Sequence, residues 1–483
     1  MGRIEYSEIQ TSIFTGFESQ NKVMGRYPKY PEYKDSGVEW LGEIPNDWKS
    51  QRLKFNSYMK GRIGWQNLRS EEFTDEGPYL ITGMHFTKDG IDWDSCYHIS
   101  EERYEMAPEI FVKNNDILIT KDGTIGKVVH IQDLPDKASL NSHLLLIRGL
   151  NSNQYISRFL YYVLNSSVFQ YYASLTSTGT TFQGISQQSI SNFEMPVPPL
   201  EEQRSLAQFL DYKTAQIDAL IAKKEELLER LAEKRTALIS EAVTKGIDRT
   251  VPMKDSGIEW LGEIPAHWEV VRLRFLLKKI EQGWSPQCHN QAAELGEWGV
   301  LKVGCVNGEE FNENENKALP DNFDAKSEYE IKDGDIIMSR SNTKELVGSV
   351  AITKNPRKKL MLCDLLYRLN TARNIDKNYL VRLLRSSIAR FQYESNSRGT
   401  SGSMQKLSQE TIKNLVFGIP PKLEQNRIED YLINQTSEIE KIEKSVRKAI
   451  DTLKEYRTAL ITNAVTGKID VRQVEIPDSY TQG

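Results

Sequence analysis

The segment R-T-A-L-I-S-E-A-V-T at 235–244 returns as R-T-A-L-I-T-N-A-V-T at 457–466, with eight of ten positions identical and an offset of 222. The same offset carries back to Glu202-Gln203 and Glu424-Gln425. These follow the proline pairs Pro198-Pro199 and Pro420-Pro421. The chain is an internal repeat, and that fact precedes any local reading. Both copies read as helix. In the first, Leu206, Leu210, Ile217, Leu220, Leu227, Leu231 and Leu238 recur at steps of three, four or their sums. In the second, Ile428, Leu432, Ile439, Ile442, Val446, Leu453 and Leu460 do the same. This spacing predicts a coiled-coil seam, with Glu, Lys and Arg on the solvated faces. Each helix would be about 65 Å long at ~1.5 Å per residue. So long an amphipathic helix needs a partner, and the nearest matching stripe is the other copy.

A second repeat frames what lies between the helices. K-D-S-G-V-E-W-L-G-E-I-P-N-D-W at 34–48 returns as K-D-S-G-I-E-W-L-G-E-I-P-A-H-W at 254–268, identical at twelve of fifteen positions. Each copy opens a unit that closes at a proline pair. The expected organisation is an N-terminal extension (1–33), a first domain (34–200) and a first spacer helix (201–250). A second domain (254–421) follows, then a second spacer helix with the C-terminal tail (422–483). Met24 offers a second possible start, which makes the leader a dispensable extension.

The domain interiors share a plan but not a sequence. In the first, 116–120 and 127–131 read as strands around the turn Lys121-Asp122-Gly123-Thr124. In the second, 335–339 and 348–353 flank Arg340-Ser341-Asn342-Thr343-Lys344. Further strands are expected at 143–148 and 365–370, and helices near 154–175 and 377–394. Each helix ends in a small polar loop, T-S-T-G-T-T-F-Q-G at 176–184 and N-S-R-G-T-S-G-S-M-Q-K at 396–406. The fold class is α/β (α+β). It consists of two mixed α/β domains joined by two long antiparallel coiled-coil helices, a pseudo-twofold internal repeat.

A constant frame around divergent interiors implies two readers mounted equivalently on different targets, such as two half-sites on a duplex. The net charge is −5, from 62 Lys+Arg and 67 Asp+Glu. Nucleic-acid partners usually meet a basic balance, but local patches decide phosphate contact. Basic residues gather at 49–69, at Arg357-Lys358-Lys359 and at Arg382, Arg385, Arg390 and Arg398. No apolar run is long enough to span a bilayer. The four cysteines form no C-x-x-C, so reduced thiols in a cytoplasmic protein are expected.

The opening motif, the P-P-x-x-E-Q exit, the long helix and the duplication together resemble the specificity subunit of type I restriction–modification systems, from Met24 to Asp470. The resemblance implies two target-recognition domains, each reading half of a split double-stranded DNA sequence. It implies docking of two methyltransferase subunits and of restriction (motor-nuclease) subunits. S-adenosylmethionine, ATP and Mg²⁺ would belong to those partners, with no cofactor or metal bound by this chain and no catalytic residue in it. Consistently, no methyltransferase box and no P-loop is found; Gly123 to Lys127 has the wrong spacing.

Base edges in the major groove are matched by Arg, Lys, Asn, Gln, Ser and Thr, on loops held by a rigid scaffold. The candidate DNA-binding residues in the first domain are Arg62, Gln66, Lys121, Thr124, Thr180 and Gln183. In the second they are Gln287, Arg340, Asn342, Lys344, Arg398, Ser403 and Gln405. Two readings compete. Pro320-Asp321 with Glu330-Ile331-Lys332 mimics a metal-dependent nuclease site, and the chain could instead be a coiled-coil scaffold without DNA.

Overall fold

The computed structural model describes residues 25–62, 68–88, 90–150, 155–177, 184–288, 290–397 and 404–477. The chain divides into two compact units. One comprises 1–225 with 447–483, and the other 226–446. Each unit thus holds one α/β domain and half of each long helix.

In the first unit a four-stranded antiparallel sheet runs in the order Val128–His130, Ile117–Thr120, Leu144–Gly149, Ser57–Lys60. A three-stranded sheet places Phe73–Ile81 between Ala138–Leu140, its parallel neighbour, and antiparallel Tyr97–Ile99. The second unit repeats this topology with other residues. Its first sheet is Leu277–Gln282, Leu366–Thr371, Ile336–Ser339, Val350–Ile352. Its second is Asn316–Ala318, Gly299–Leu301, Leu360–Met361, the last pair parallel. The mixed α/β domains expected from the sequence are therefore present, and their central strands Ile117–Thr120 and Ile336–Ser339 are buried throughout.

The single helix expected near 154–175 is two, Ser157–Leu164 and Ser167–Thr176. The other, expected at 377–394, is Lys377–Arg385 and Ser387–Asn396. The break is chemical. Ser166 Oγ accepts from the Phe169 amide and Ser386 Oγ from the Ala389 amide. A serine bonding forward to the backbone starts a new helix more readily than it continues an old one.

The repeated motifs form a clasp. Lys49–Arg52 pairs with Glu194–Val197, and Glu269–Arg272 with Val416–Ile419, so each domain's start lies beside its end. The glutamine of P-P-x-x-E-Q locks that closure. Gln203 is buried; its amide donates to Pro198 O at 2.9 Å and accepts from the Ile156 amide at 2.9 Å. Gln425 does the same with Pro420 O and the Asp376 amide, at 2.9 and 2.8 Å. A buried amide with both ends satisfied specifies one geometry.

The long helices are Leu200–Lys245 and Lys422–Val465. Their pairing is antiparallel. Arg457 of the second holds Asp218 of the first at 2.9 Å, and Arg235 of the first holds Glu440 of the second at 2.8 Å. These two ion pairs are equivalents under the offset of 222, since 218 + 222 = 440 and 235 + 222 = 457. Leu206, Leu210, Ile217, Leu231, Ile428, Leu432, Ile439, Val446 and Leu460 are buried, and Leu238 and Leu453 half-buried. Leu220, Leu227 and Ile442 are exposed, so that part of the seam expectation is corrected. Counted from Leu210, steps of four and three pass through Thr214, Ile217, Ile221, Lys224, Leu228 and Leu231. The seam uses the second residue of Leu220-Ile221 and of Leu227-Leu228. In the second helix it runs through Thr436, Glu443 and Ile450. The helix ends also pack on the domains. Ala242, Val243, Ile428 and Leu432 share a core with Trp268 and Tyr379.

Residues 25–33 are not a loose leader. Tyr30 is buried against Trp48, its hydroxyl donates to Glu202 Oε1 at 2.6 Å, and Tyr33 donates to Gly467 O at 2.9 Å. Gly467 ends the second helix at φ +70°, and an added Cβ would lie 2.3 Å from Pro45 Cδ. Any side chain there would break the closure. Among the described residues no helix is long and apolar enough to cross a membrane.

Candidate nucleic-acid interface

Strand pairing builds one node in each unit. In the first, the Lys121 amide donates to His143 O at 2.9 Å, and the Ile185 amide donates to Lys121 O at 2.8 Å. Asp122 bridges to Gly184. The turn after Ile117–Thr120, the segment before Leu144–Gly149 and the chain leaving the polar loop therefore converge on Lys121. Thr120 Oγ1 donates to Thr124 O and accepts from the Lys127 amide, which sets the turn.

The second unit has the same wiring. The Arg340 amide donates to Leu365 O at 2.8 Å, and the Leu407 amide donates to Arg340 O at 2.9 Å. Ser341–Asn342 pairs with Gln405–Lys406. Arg340 occupies the position of Lys121. Its guanidinium reaches Asp364 O at 3.4 Å. Gln282 holds that carbonyl too, at 3.0 Å, and Ser285 Oγ accepts from the Asp364 amide at 3.1 Å.

Of the candidate residues, Lys121, Arg340 and Gln405 lie at the nodes half-buried, while Thr124, Gln287 and Lys344 are exposed. Arg62 is 5% exposed, donating to Leu140 O at 2.8 Å and Ser139 Oγ at 3.0 Å; burial lowers its pKa to about 10. Asn342 is also buried. Its amide donates to Asn307 Oδ1 at 2.9 Å and its oxygen accepts from the Thr343 amide at 2.9 Å. Both are corrected: each is buried and bonded to protein groups, so neither stands exposed toward a base edge. Gln66, Thr180, Gln183, Arg398 and Ser403 lie outside the described residues.

Three described arginines of the second domain's basic cluster are engaged internally. Arg382 pairs with Glu429, Arg385 donates to Val350 O, and Arg390 donates to Val347 O. Lys121 is paired with Asp122 at 2.9 Å. A part-exposed pair of this kind is worth roughly 0–1 kcal/mol, so a phosphate or base could displace Asp122 at small cost. Asp122, His143, Asp364 and Lys406 also stand at the nodes, although none is among the candidate residues. Asp122 and His143 approach within 3.4 Å only because two strands 21 residues apart are neighbours.

In the nuclease-like motif Glu330 is engaged by the backbone of a neighbouring segment. Glu330 accepts from the Lys359 amide at 2.8 Å. Among the described residues no group of three His, Cys, Asp or Glu could hold a metal ion.

One buried histidine gives a pH prediction. His130 ends a strand of the first sheet, with neither ring nitrogen hydrogen-bonded among the described residues. Burial, then the Arg158 cation, lower its pKa to about 4, against a smaller raising effect of Asp211. The unfolded chain, near 6.5, therefore binds the proton first as pH falls. Stability is full above about pH 6.5 and declines toward pH 4, by on the order of 2 kcal/mol from this group. Denaturant titrations of the parent and of His130→Leu should diverge across that window. Parallel curves would remove His130 as the cause.

Comparison with known proteins places these features. A family model described as type I restriction modification DNA specificity domain matches residues 47–230 and 265–450. The Escherichia coli EcoEI specificity subunit is 30% identical over 198 residues, 41% of this chain and 33% of that protein. The Methanocaldococcus jannaschii MjaVIII specificity subunit is 25% identical over 439 residues, covering 89% and 95%. A chain from a solved structure concerned with complex assembly and conformational transition of the type I R-M system superposes with a TM-score of 0.60. It is 16% identical, covering 87% of this chain and 98% of that one.

Proposed function

The chain belongs to the type I restriction modification DNA specificity family, and on that premise we propose that its two domains read the two halves of a split DNA target. The observation that carries this reading is the pair of equivalent nodes. Identical backbone wiring presents Lys121 in one unit and Arg340 in the other. A fixed frame with exchanged side chains at its working position is what two readers of different half-sites require. Lys supplies a point charge, whereas Arg offers a planar fork that fits guanine O6 and N7.

The chain is the non-catalytic specificity subunit of a larger complex. Two methyltransferase subunits dock on it and methylate adenine with S-adenosylmethionine. Restriction subunits bring the ATP- and Mg²⁺-dependent motor and nuclease. The complex works in the cytoplasm, on the chromosome and on incoming DNA. Mapping of methylated adenines in the host genome, with and without this gene, tests the reading directly. A split motif that vanishes with the gene is expected. An unchanged methylation map would refute it.

Arg340→Ala should weaken recognition of one half-site only, by about 1–3 kcal/mol for a bidentate contact. Duplexes varied in each half separately, bound in the methyltransferase's presence, measure this. Uniform weakening across all sequences with a flatter salt slope would reassign Arg340 to phosphate.

A further inference from the structure

The two nodes share their backbone wiring but not their charges. In the strand pairing that closes each node, Ser341 answers to Asp122 and Lys406 to Gly184. The exchange alters what each node presents. Ser341 is fully buried, and its hydroxyl donates to Met404 Sδ at 3.1 Å. Arg340 and the exposed Lys406 line one cavity with Gln392, Asn396, Glu410 and Asn414. The Glu410 carboxylate is held there by Arg274 at 2.9 Å and by Asn414 at 2.7 Å. In the first unit the side chain at the place of Ser341 is a carboxylate, 39% exposed.

The Asp122 carboxylate is held in place from two sides. Its Oδ2 accepts from Lys121 Nζ at 2.9 Å and lies 3.4 Å from His143 Nδ1, while Oδ1 accepts from no group among the described residues. A Cβ added to Gly184 would lie 2.8 Å from that Oδ1 and 3.5 Å from Lys121 O. The space a side chain would take at 184 is thus the space the carboxylate occupies. One mutual contact leaves the ammonium with further protons and the carboxylate with most of its acceptor sites. Lys121 and Asp122 therefore present a donor beside an acceptor at one spot. An ionised carboxylate accepts only. On a major-groove edge it matches the amino group of adenine or cytosine and repels the bare acceptors of guanine or thymine.

We propose that Asp122 is a specificity-determining residue of the first reader. It accepts from an exocyclic amino group, and so fixes, at one base pair of that half-site, which strand carries adenine or cytosine. Lys121 beside it donates to the adjacent acceptor, adenine N7 or, across a C·G pair, guanine O6. The second reader has Ser341 turned inward at this position and a lysine in place of Gly184, so its node reads a different edge. The assignment rests on the proposed function and adds to it the class of base that one node selects.

The test combines adenine-methylation maps of hosts carrying the parent or a variant gene with binding of the purified chain and its methyltransferase to duplexes changed one position at a time. Asp122→Asn keeps the shape but adds a donor. Gly184→Ala keeps the charge and displaces the flexible carboxylate. Both should relax the same single position of one half-site, where discrimination falls about tenfold, and leave the other half unchanged. The newly admitted pairs should move the amino group to the other strand: A·T gives way to T·A or G·C, and C·G to G·C or T·A. Exchange between A·T and C·G alone, which leaves the amino group on its strand, would overturn the assignment. So would the parental motif in both variants, or binding weakened alike on all sequences, the mark of a carboxylate that only steadies Lys121. Equal melting temperatures show that the variants fold. A parent gene that leaves the methylation map unchanged would refute the proposed function itself, whereas the other outcomes leave it standing.

Discussion

Trp268→Ala should destabilise its unit by about 3–5 kcal/mol, the range for removing a large buried aromatic. Trp268 is fully buried in the core that holds Ala242, Val243, Ile428 and Leu432. Its Nε1 donates to Glu424 Oε1 at 3.1 Å, and Glu424 Oε2 meets His267 at 2.6 Å. The opening motif, one helix end and the other helix start are thus fastened through one ring. Trp48 holds the equivalent position, but its Nε1 has no partner among the described residues, and Tyr30 takes Glu202 in its place. The phenylalanine variants should therefore differ. Trp48→Phe removes packing alone, while Trp268→Phe also strips a donor from a carboxylate, adding roughly 1–2 kcal/mol. Chemical denaturation of both variants measures the difference. Equal losses would mean that the Glu424 bond adds nothing to stability.

That asymmetry inside a shared frame shows where sequence reading succeeds. The repeat and the long helices were legible because they are written as identity at fixed offsets. The role of Gln203 and Gln425 was not, because the amide's partners lie on strands and helices whose approach no local pattern records. The seam was legible as a period but not in phase: Leu220-Ile221 and Leu227-Leu228 each offer two apolar residues, and only one of each pair sits at a heptad position. Ser166 and Ser386 were legible as caps in principle, yet the flanking apolar periodicity suggested one helix. At the nodes, Lys121, Arg340 and Gln405 could be found because turns between strands carry polar side chains. Arg62 and Asn342 could not be told from them. What buries these two is partners at Ser139, Leu140 and Asn307, distant in sequence.

Removing 224–230 from the first long helix together with 446–452 from the second should abolish binding at the original half-site gap. Each deletion takes out one heptad, carrying the seam positions Lys224 and Leu228, or Val446 and Ile450. The alternation of three and four therefore continues across each join. Both ion pairs, Asp218–Arg457 and Arg235–Glu440, lie outside the deletions. The cuts fall where the chain passes between its compact units, at 225/226 and 446/447, so each domain keeps its own clasp and helix ends. The spacer loses about 10 Å at ~1.5 Å per residue, or about three base pairs at ~3.4 Å each. Three base pairs also turn the duplex by about 100°, since one turn takes roughly 10. The second reader then meets its half-site on the wrong face of the helix. Affinity at the original gap should fall toward the non-specific level, by about 10³ or more, and any recovery should appear at a shorter gap. Deleting only one heptad separates the effects: it breaks the seam's register and should lower the melting temperature, which the paired deletion should largely preserve. Duplexes with graded gaps, bound in the presence of the methyltransferase, measure the outcome. Parental affinity at the original gap in the paired deletion would show that the helices do not set the distance between half-sites.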